Sequence, residues 1–115
     1  MAFLKEHPTL PDLQVYVQEF CKEKGFDKGS YLEDFLLLSE EIGELARAMR
    51  EEEHLRIDTT KCKNNELQED NALEEEFADV FHYILNLANR FHIDLEKAFR
   101  EKVLVNQARH WEVVQ

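Results

Sequence analysis

The sequence predicts an all-α fold, a four-helix bundle completed by oligomerisation. The chain has 115 residues, of which 43% are hydrophobic, so it can build a core. It contains only three glycines and two prolines, which favours long helices over a many-turned β fold. Apolar residues recur at steps of three and four in four segments. A chain of this length fits one domain, which we assign to residues 1–115.

The first two helices carry clear start signals. Thr9 and Asp12 have the types and spacing of a capping box, and Gly25 marks the stop. Ser30 and Glu33 repeat the capping pattern at the start of the second helix. The apolar positions that follow alternate at steps of three and four, as in a bundle: Phe35, Leu38, Ile42, Leu45 and Met49.

Two further helices follow a polar segment from about Arg56 to Asp70, which we predict to be a long loop. The third helix is predicted to start at Asn71, and its apolar residues cover more than half of its circumference. This excess favours a second buried contact with another subunit, the alternative being that the other three helices surround it. The fourth helix is predicted from about Asp94 toward Ala108.

Charge and composition exclude several classes of function. The formal net charge of −11 argues against binding to a nucleic acid polymer, but it allows a small phosphorylated ligand whose charge metal ions offset. No segment approaches the roughly 20 apolar residues that span a bilayer. Cys21 and Cys62 are isolated, which is typical of reduced cysteines, and we expect a cytoplasmic protein.

The stretch "SEEIGEL" places three glutamates in the apolar second helix. On a helical wheel Glu41 falls inside the apolar sector and Glu44 at its edge, whereas Glu40 faces outward. Gly43 costs about 1 kcal/mol relative to alanine in a helix interior, which indicates close packing there. The three carboxylates are therefore not equivalent.

The third helix repeats the arrangement with Glu76 and Asp79, which share a face at the apolar border, and Tyr83 continues that edge. Paired acids beside a core repel each other and lose hydration, so protonation, basic partners or a cation must compensate. A divalent ion bound by oxygen ligands suits such a group. A solvated acidic surface is the alternative, and the residues alone leave both open.

The fourth helix supplies positive charge. Lys102, Asn106 and Arg109 lie at i, i+4 and i+7, and such a row suits phosphate oxygens together with a sugar hydroxyl or base. The alternative is a polar outer stripe that binds nothing.

The segments EEIGE and EFAD together resemble the EExxE…ExxD signature of the MazG-like, all-α nucleoside triphosphate pyrophosphohydrolases, a superfamily that includes dimeric dUTPases and dCTP pyrophosphatases. The resemblance extends from about Gly25 to Arg109. It implies magnesium, with manganese as a substitute, held by Glu41, Glu44, Glu76 and Asp79. It also implies hydrolysis of a nucleoside triphosphate, often a deoxy form, to the monophosphate and pyrophosphate, in nucleotide-pool house-cleaning.

Further roles follow from the same resemblance. Lys102 and Asn106 match the late lysine and asparagine that contact the nucleotide, and Tyr83 matches a frequent tyrosine. Phe26 takes the place of a common tryptophan, whereas Arg109 is a candidate only from its position on the same helix face. Members assemble as dimers or tetramers with sites at subunit contacts. Glu40 or Glu41 is the expected acceptor of the proton from the attacking water.

Two other functions compete with this interpretation. A ferritin-like di-iron bundle needs two Glu-x-x-His pairs, and Asp79-x-x-His82 is the nearest approach, without a second copy. A non-catalytic acidic adaptor or regulator dimer would use its glutamates only for solubility. Stabilisation by millimolar magnesium distinguishes this adaptor from the enzyme.

Overall fold

The computed structural model describes residues 1–53 and 72–109, and these residues form four α-helices and no strand. A single turn of 3₁₀-helix, Phe26–Lys28, joins the first two helices. The all-α prediction is confirmed. The predicted loop at 56–70, the predicted helix start at Asn71 and the isolated Cys62 lie outside the described residues. The helices are α1 Leu10–Lys24, α2 Tyr31–Glu52, α3 Ala72–Arg90 and α4 Leu95–Ala108.

The helix ends follow the predicted caps. Thr9 and Asp12 make both halves of the capping box, and Gly25 ends α1 in the left-handed region with φ 75°. At the start of α2, Ser30 accepts the backbone N–H of Glu33, which is one half of the predicted capping box; the return bond from the Glu33 side chain is not among those found. The predicted start of α4 near Asp94 is confirmed, and Asp94 also accepts the N–H of Lys97 there, a cap that was not predicted from the sequence. These side chains satisfy backbone donors that a helix start leaves unpaired.

The helices are organised around α3. It packs antiparallel against α2, because Glu41 of α2 lies near Asp79 whereas the earlier residue Asp34 meets the later residue Arg90. The other side of α3 packs on α1, where Val17, Cys21 and Leu85 form a small buried core. The fourth helix rests on α1. The seam between α2 and α3 is therefore the place where polar side chains of two helices meet.

Gln14 ties three parts of this arrangement together. Its Nε2 donates to the Asn89 side chain at 3.0 Å and to the Ile93 carbonyl at 2.8 Å. Its Oε1 accepts the Leu95 backbone N–H at 2.9 Å, which is one of the unpaired donors at the start of α4. One amide thus joins α1, the end of α3 and the start of α4.

Replacing Gln14 with alanine is expected to destabilise the fold by about 2 kcal/mol, because three hydrogen bonds are lost and half-buried partners remain unpaired. Urea unfolding followed by circular dichroism measures the change. Gln18→Ala removes an exposed glutamine from the same helix and is expected to change stability by less than about 0.5 kcal/mol. Equal effects of the two substitutions would contradict this role for Gln14.

Much apolar surface stays open in a single chain. On α3, Phe77 is 54% exposed, and Phe81 and Ile84 are also exposed, so the described helices do not surround α3. A Cβ added at Gly43 would meet nothing within 4 Å, so the close contact predicted there is not made within the described part of the chain. Further large apolar side chains are exposed on α2: Leu32, Phe35, Leu36, Ile42 and Met49.

Candidate metal and nucleotide site

Three carboxyl groups meet where α2 crosses the first half of α3. One oxygen each from Glu41, Glu76 and Asp79 can be chosen so that all three lie within 4.8 Å of one another. Glu76 and Asp79 are three residues apart on α3 and therefore share a face, which points at Glu41 across the helix seam. This grouping of acids from two helices is the one that the sequence pattern predicted for these three residues.

Among the described residues, no group of opposite charge offsets the negative charge of this cluster. Oε2 of Glu76 is buried and has no hydrogen-bond partner. Burial, a hydrogen bond shared with Glu76, and the charges of Asp79, Glu76 and Glu44 raise the pKa of the Glu41 carboxyl above its usual range. Both observations indicate that the described residues alone do not balance this negative charge.

The donor set fits a divalent cation. Carboxylate oxygens are the ligands that hard ions such as Mg²⁺ accept, and an ion would give the orphaned Glu76 oxygen a partner. Partial exposure of the cluster leaves room for water or phosphate oxygens to complete the coordination. The residues present therefore suit the ion that the sequence pattern implied.

Beside the cluster lies a cavity of about 580 Å³, with Glu41 and Asp79 among its lining residues. Four of its thirteen lining residues carry rings, Phe20 and Phe26 on one side and His82 and Tyr83 on α3. The Phe20 ring meets those of Phe26 and His82 edge to face, at centroid distances of 6.2 and 5.6 Å. Flat side chains beside an acidic cluster provide stacking surface next to a place for phosphate.

The electrostatic state of two wall residues follows from their position. Burial lowers the pKa of His82, and the charge of Asp79 opposes this only in part, so the imidazole is favoured in its neutral form. Burial raises the pKa of Tyr83, and the charges of Glu41, Asp34 and Asp79 add to the effect. Tyr83 therefore keeps its phenolic proton at neutral pH and can donate a hydrogen bond.

Arg90 anchors the turn that carries Phe26 through hydrogen bonds. Its Nε donates to Asp34 Oδ2 at 2.9 Å, and its two terminal nitrogens donate to the carbonyl oxygens of Asp27 and Phe26. Gly25 allows the chain to turn at this point, because its φ of 75° is rarely adopted by other residues. The end of α3 thus holds the turn between α1 and α2 over the cavity.

Not all predicted site residues lie at this site. Glu44, one turn beyond Glu41, forms an ion pair with Arg47 and contributes no oxygen to the three-carboxylate group. Glu40 is exposed and lines no part of the cavity. Three others, Lys102, Asn106 and Arg109, lie exposed at α4 or its end and are absent from the cavity lining. Phe26 and Tyr83 do line it.

Two buried polar residues of the cavity were not predicted from the sequence. Asp34 is 6% exposed and Asn86 is 7% exposed. The sequence did indicate which helix face they occupy. Asp34 lies seven residues before Glu41 and Asn86 lies seven residues after Asp79, so each shares a helix face with that acidic residue. Their partners across the seam, which decide burial, are not visible in a helical wheel.

The fold and the site define an all-α protein with an acidic cluster that could hold a metal ion, beside a cavity partly lined by aromatic rings. Residues 30–114 match the family described as the MazG nucleotide pyrophosphohydrolase domain. The chain belongs to this family, which confirms the resemblance that the two acidic motifs indicated.

Individual relatives agree with this assignment. The chain is 32% identical over 104 residues to dCTP pyrophosphatase 1 of Rattus norvegicus and, equally, to that of Mus musculus. These matches cover 90% of this chain but 59% of each relative, so the chain spans about three-fifths of their length. It is also 32% identical over 97 residues to the uncharacterized protein YvdC of Bacillus subtilis (strain 168), covering 82% of this chain and 92% of that protein.

A search of the described helices for membrane spans found none that combines the length and apolar character needed to cross a bilayer.

Proposed function

We propose that the protein hydrolyses a nucleoside triphosphate to the monophosphate and pyrophosphate, with magnesium as the metal ion. The observation that carries the proposal is the orphaned, buried Glu76 oxygen within a three-carboxylate cluster that opens onto an aromatic cavity. Family membership and the name of the dCTP pyrophosphatases support the same reaction class. We place this activity in nucleotide-pool house-cleaning in the cytoplasm.

Each residue has a defined task in this proposal. Glu41, Glu76 and Asp79 hold the ion, which when bound would neutralise phosphate oxygens and lower the pKa of a coordinated water. Glu41 faces both the cluster and the cavity, so it is better placed than the exposed Glu40 to accept a proton from the attacking water. Phe26 and Tyr83 provide the walls against which the nucleoside lies.

Glu44 is the proposed fourth ligand, and Arg47 competes with the metal for it. The Glu44 carboxylate is about half exposed and lies one turn from Glu41, so a side-chain rotation away from Arg47 brings it toward the cluster. An exposed ion pair contributes at most about 1 kcal/mol, so breaking it is a small cost.

Arg47→Ala is therefore expected to lower the magnesium concentration that gives half-maximal activity by about twofold to fivefold. Magnesium titrations of the initial rate measure this change. Arg50→Ala removes another exposed cation of α2 and serves as the control. A higher magnesium requirement in Arg47→Ala would contradict competition for Glu44.

We further propose that the protein works as a homo-oligomer, a dimer or a tetramer. The many exposed large apolar side chains of α2 and α3 support this, since extensive exposed apolar surface on a soluble domain often marks an interaction site. Gly43 has open space around it and lies on a face with exposed Leu36, which suits close approach of a helix from a second copy. In such an assembly Lys102 and Asn106 of one chain would reach the cavity of another.

The reaction is tested by a screen of ribo- and deoxynucleoside triphosphates with magnesium, with separate assays for pyrophosphate and orthophosphate. Equal amounts of monophosphate and pyrophosphate are expected from at least one nucleotide. Orthophosphate as the only phosphorus product besides the diphosphate would refute the proposed reaction. Absence of turnover together with no magnesium-induced rise in melting temperature would favour the adaptor alternative.

A further inference from the structure

The end of the cavity away from the carboxylate cluster holds two buried polar side chains. Asn86 of α3 is only 7% exposed as a whole residue and lines the cavity. Its amide nitrogen and oxygen are not among the fully buried atoms that lack a partner, so they are open to the cavity, where a ligand can form hydrogen bonds with them. Asp34 of α2 lines the same cavity and is equally buried.

The two ends of the cavity are separated by a distance that suits a nucleoside. Asn86 follows Asp79 by seven residues on α3, and Asp34 precedes Glu41 by seven on α2, which corresponds to about 10 Å along each helix. A nucleotide whose α-phosphate lies at the carboxylates extends its base toward Asn86 and Asp34. The rings of Phe20, Phe26 and Tyr83 line the space between.

The hydrogen-bonding groups of Asp34 and Asn86 favour a base with an amino group on the edge that faces them. Oδ2 of Asp34 accepts the Arg90 Nε–H, so Oδ1 is the oxygen that a ligand can use, and a carboxylate oxygen only accepts hydrogen bonds. The Asn86 amide has both a donor and an acceptor and can match either neighbour on a base. Asp34 is therefore the residue that discriminates, since it attracts an amino group and repels a carbonyl oxygen.

We propose that Asp34 and Asn86 read the base and select nucleotides whose base carries an exocyclic amino group. On cytosine, the 4-amino group donates to Asp34 Oδ1 while N3 accepts from the Asn86 amide. Adenine likewise has an amino group next to a ring nitrogen that accepts a hydrogen bond. Uracil and thymine place a carbonyl oxygen against the Asp34 carboxylate. Arg90 is a positioning residue, because it fixes the orientation of Asp34 and the turn that carries Phe26.

This inference rests on the proposed function but is tested separately with pairs of nucleotides that differ in one group. We expect kcat/KM for dCTP to exceed that for dUTP, and that for dATP to exceed that for dITP, each by at least about tenfold. The same order is expected for binding of dCMP and dUMP by calorimetry, which needs no turnover. Equal values within each pair would overturn the inference and leave the proposed hydrolysis intact.

Asp34→Asn gives the sharpest variant, because it keeps the shape of the side chain. Arg90 Nε would hold the new carbonyl oxygen, so the amide NH₂ would face the cavity and donate. We expect the preference for dCTP over dUTP to be lost or reversed. An unchanged ratio in a variant with wild-type helicity and melting temperature would overturn the inference.

Asn86→Leu covers the case in which Asp34→Asn fails to fold, because leucine keeps the branched shape of asparagine without its polar atoms and is a good helix former. We expect dCMP affinity to fall at least about tenfold. The control is Glu52→Gln, an exposed site on α2, for which no change is expected. Wild-type affinity in Asn86→Leu would overturn the part assigned to the amide.

Discussion

Asp79→Asn is expected to reduce nucleotide hydrolysis by at least about a thousandfold, because a metal ion that stabilises the transition state by several kcal/mol would lose a charged ligand. The substitution keeps the size of the side chain, and Asp79 lies exposed at the rim of the cluster, so α3 should stay folded. Pyrophosphate release with saturating dNTP and magnesium measures the rate. Circular dichroism checks the helical content.

Melting temperature gives a readout that does not depend on turnover. Without divalent ions, Asp79→Asn should melt at or above the wild-type temperature, because it removes one of several carboxylates that repel each other. Magnesium should raise the melting temperature of the wild type but not that of the variant. Glu74→Gln, an exposed acid five residues earlier on α3, is the control and should behave as the wild type in both assays. Near-normal activity of Asp79→Asn would refute the ligand assignment.

Local signals in the sequence predicted the helices well, since caps act over three or four residues. The capping pair Thr9 and Asp12 and the caps at Ser30 and Asp94 start helices where the pattern placed them. The fold class is likewise confirmed by the described residues and by the family match. Where the chain must turn, Gly25 adopts the left-handed conformation that only glycine takes easily.

The site was harder to predict, because a helical wheel gives the face of a residue but not its partner on another helix. The wheel turned Glu41 and Glu76 toward the seam, where the structure brings them together. The helical wheel also placed Glu44 at the edge of the seam. In the structure the Glu44 carboxylate instead forms an ion pair with Arg47 of the same helix. Asp34 stands on the same face as Glu41, but only the approach of Arg90 from α3 explains how a charge can be buried there.

The cavity and the apolar surfaces point to the same organisation. A single chain supplies the carboxylates and the aromatic walls, whereas the described part of α4 lies against α1 and sends no residue into the cavity. No lysine or arginine among the described residues lines the cavity, which is poorly suited to a triphosphate, whose charge exceeds what a metal ion alone balances. Lys102 is the cation that the late motif nominates, and a second copy is the source that the exposed faces of α2 and α3 suggest.

A mixture of two inactive variants is therefore expected to regain activity. Lys102→Ala alone should lower kcat/KM by about a hundredfold, through loss of a phosphate contact made by a charged group. When it is refolded together with Asp79→Asn, half of the dimers contain one chain of each kind. In these hybrids one of the two sites combines an intact Asp79 with an intact partner lysine, so about a quarter of wild-type activity should return.

The control is a mixture of Asp79→Asn with Glu76→Gln, whose two lesions lie in the same carboxylate cluster. If each cluster is built by one chain, every site in that mixture carries a lesion, and no activity should return. Differently tagged chains, captured in sequence, verify that hybrids form in both mixtures. Hybrids of Lys102→Ala and Asp79→Asn that form but stay inactive would refute a shared site, because Lys102 would then act within its own chain or not at all.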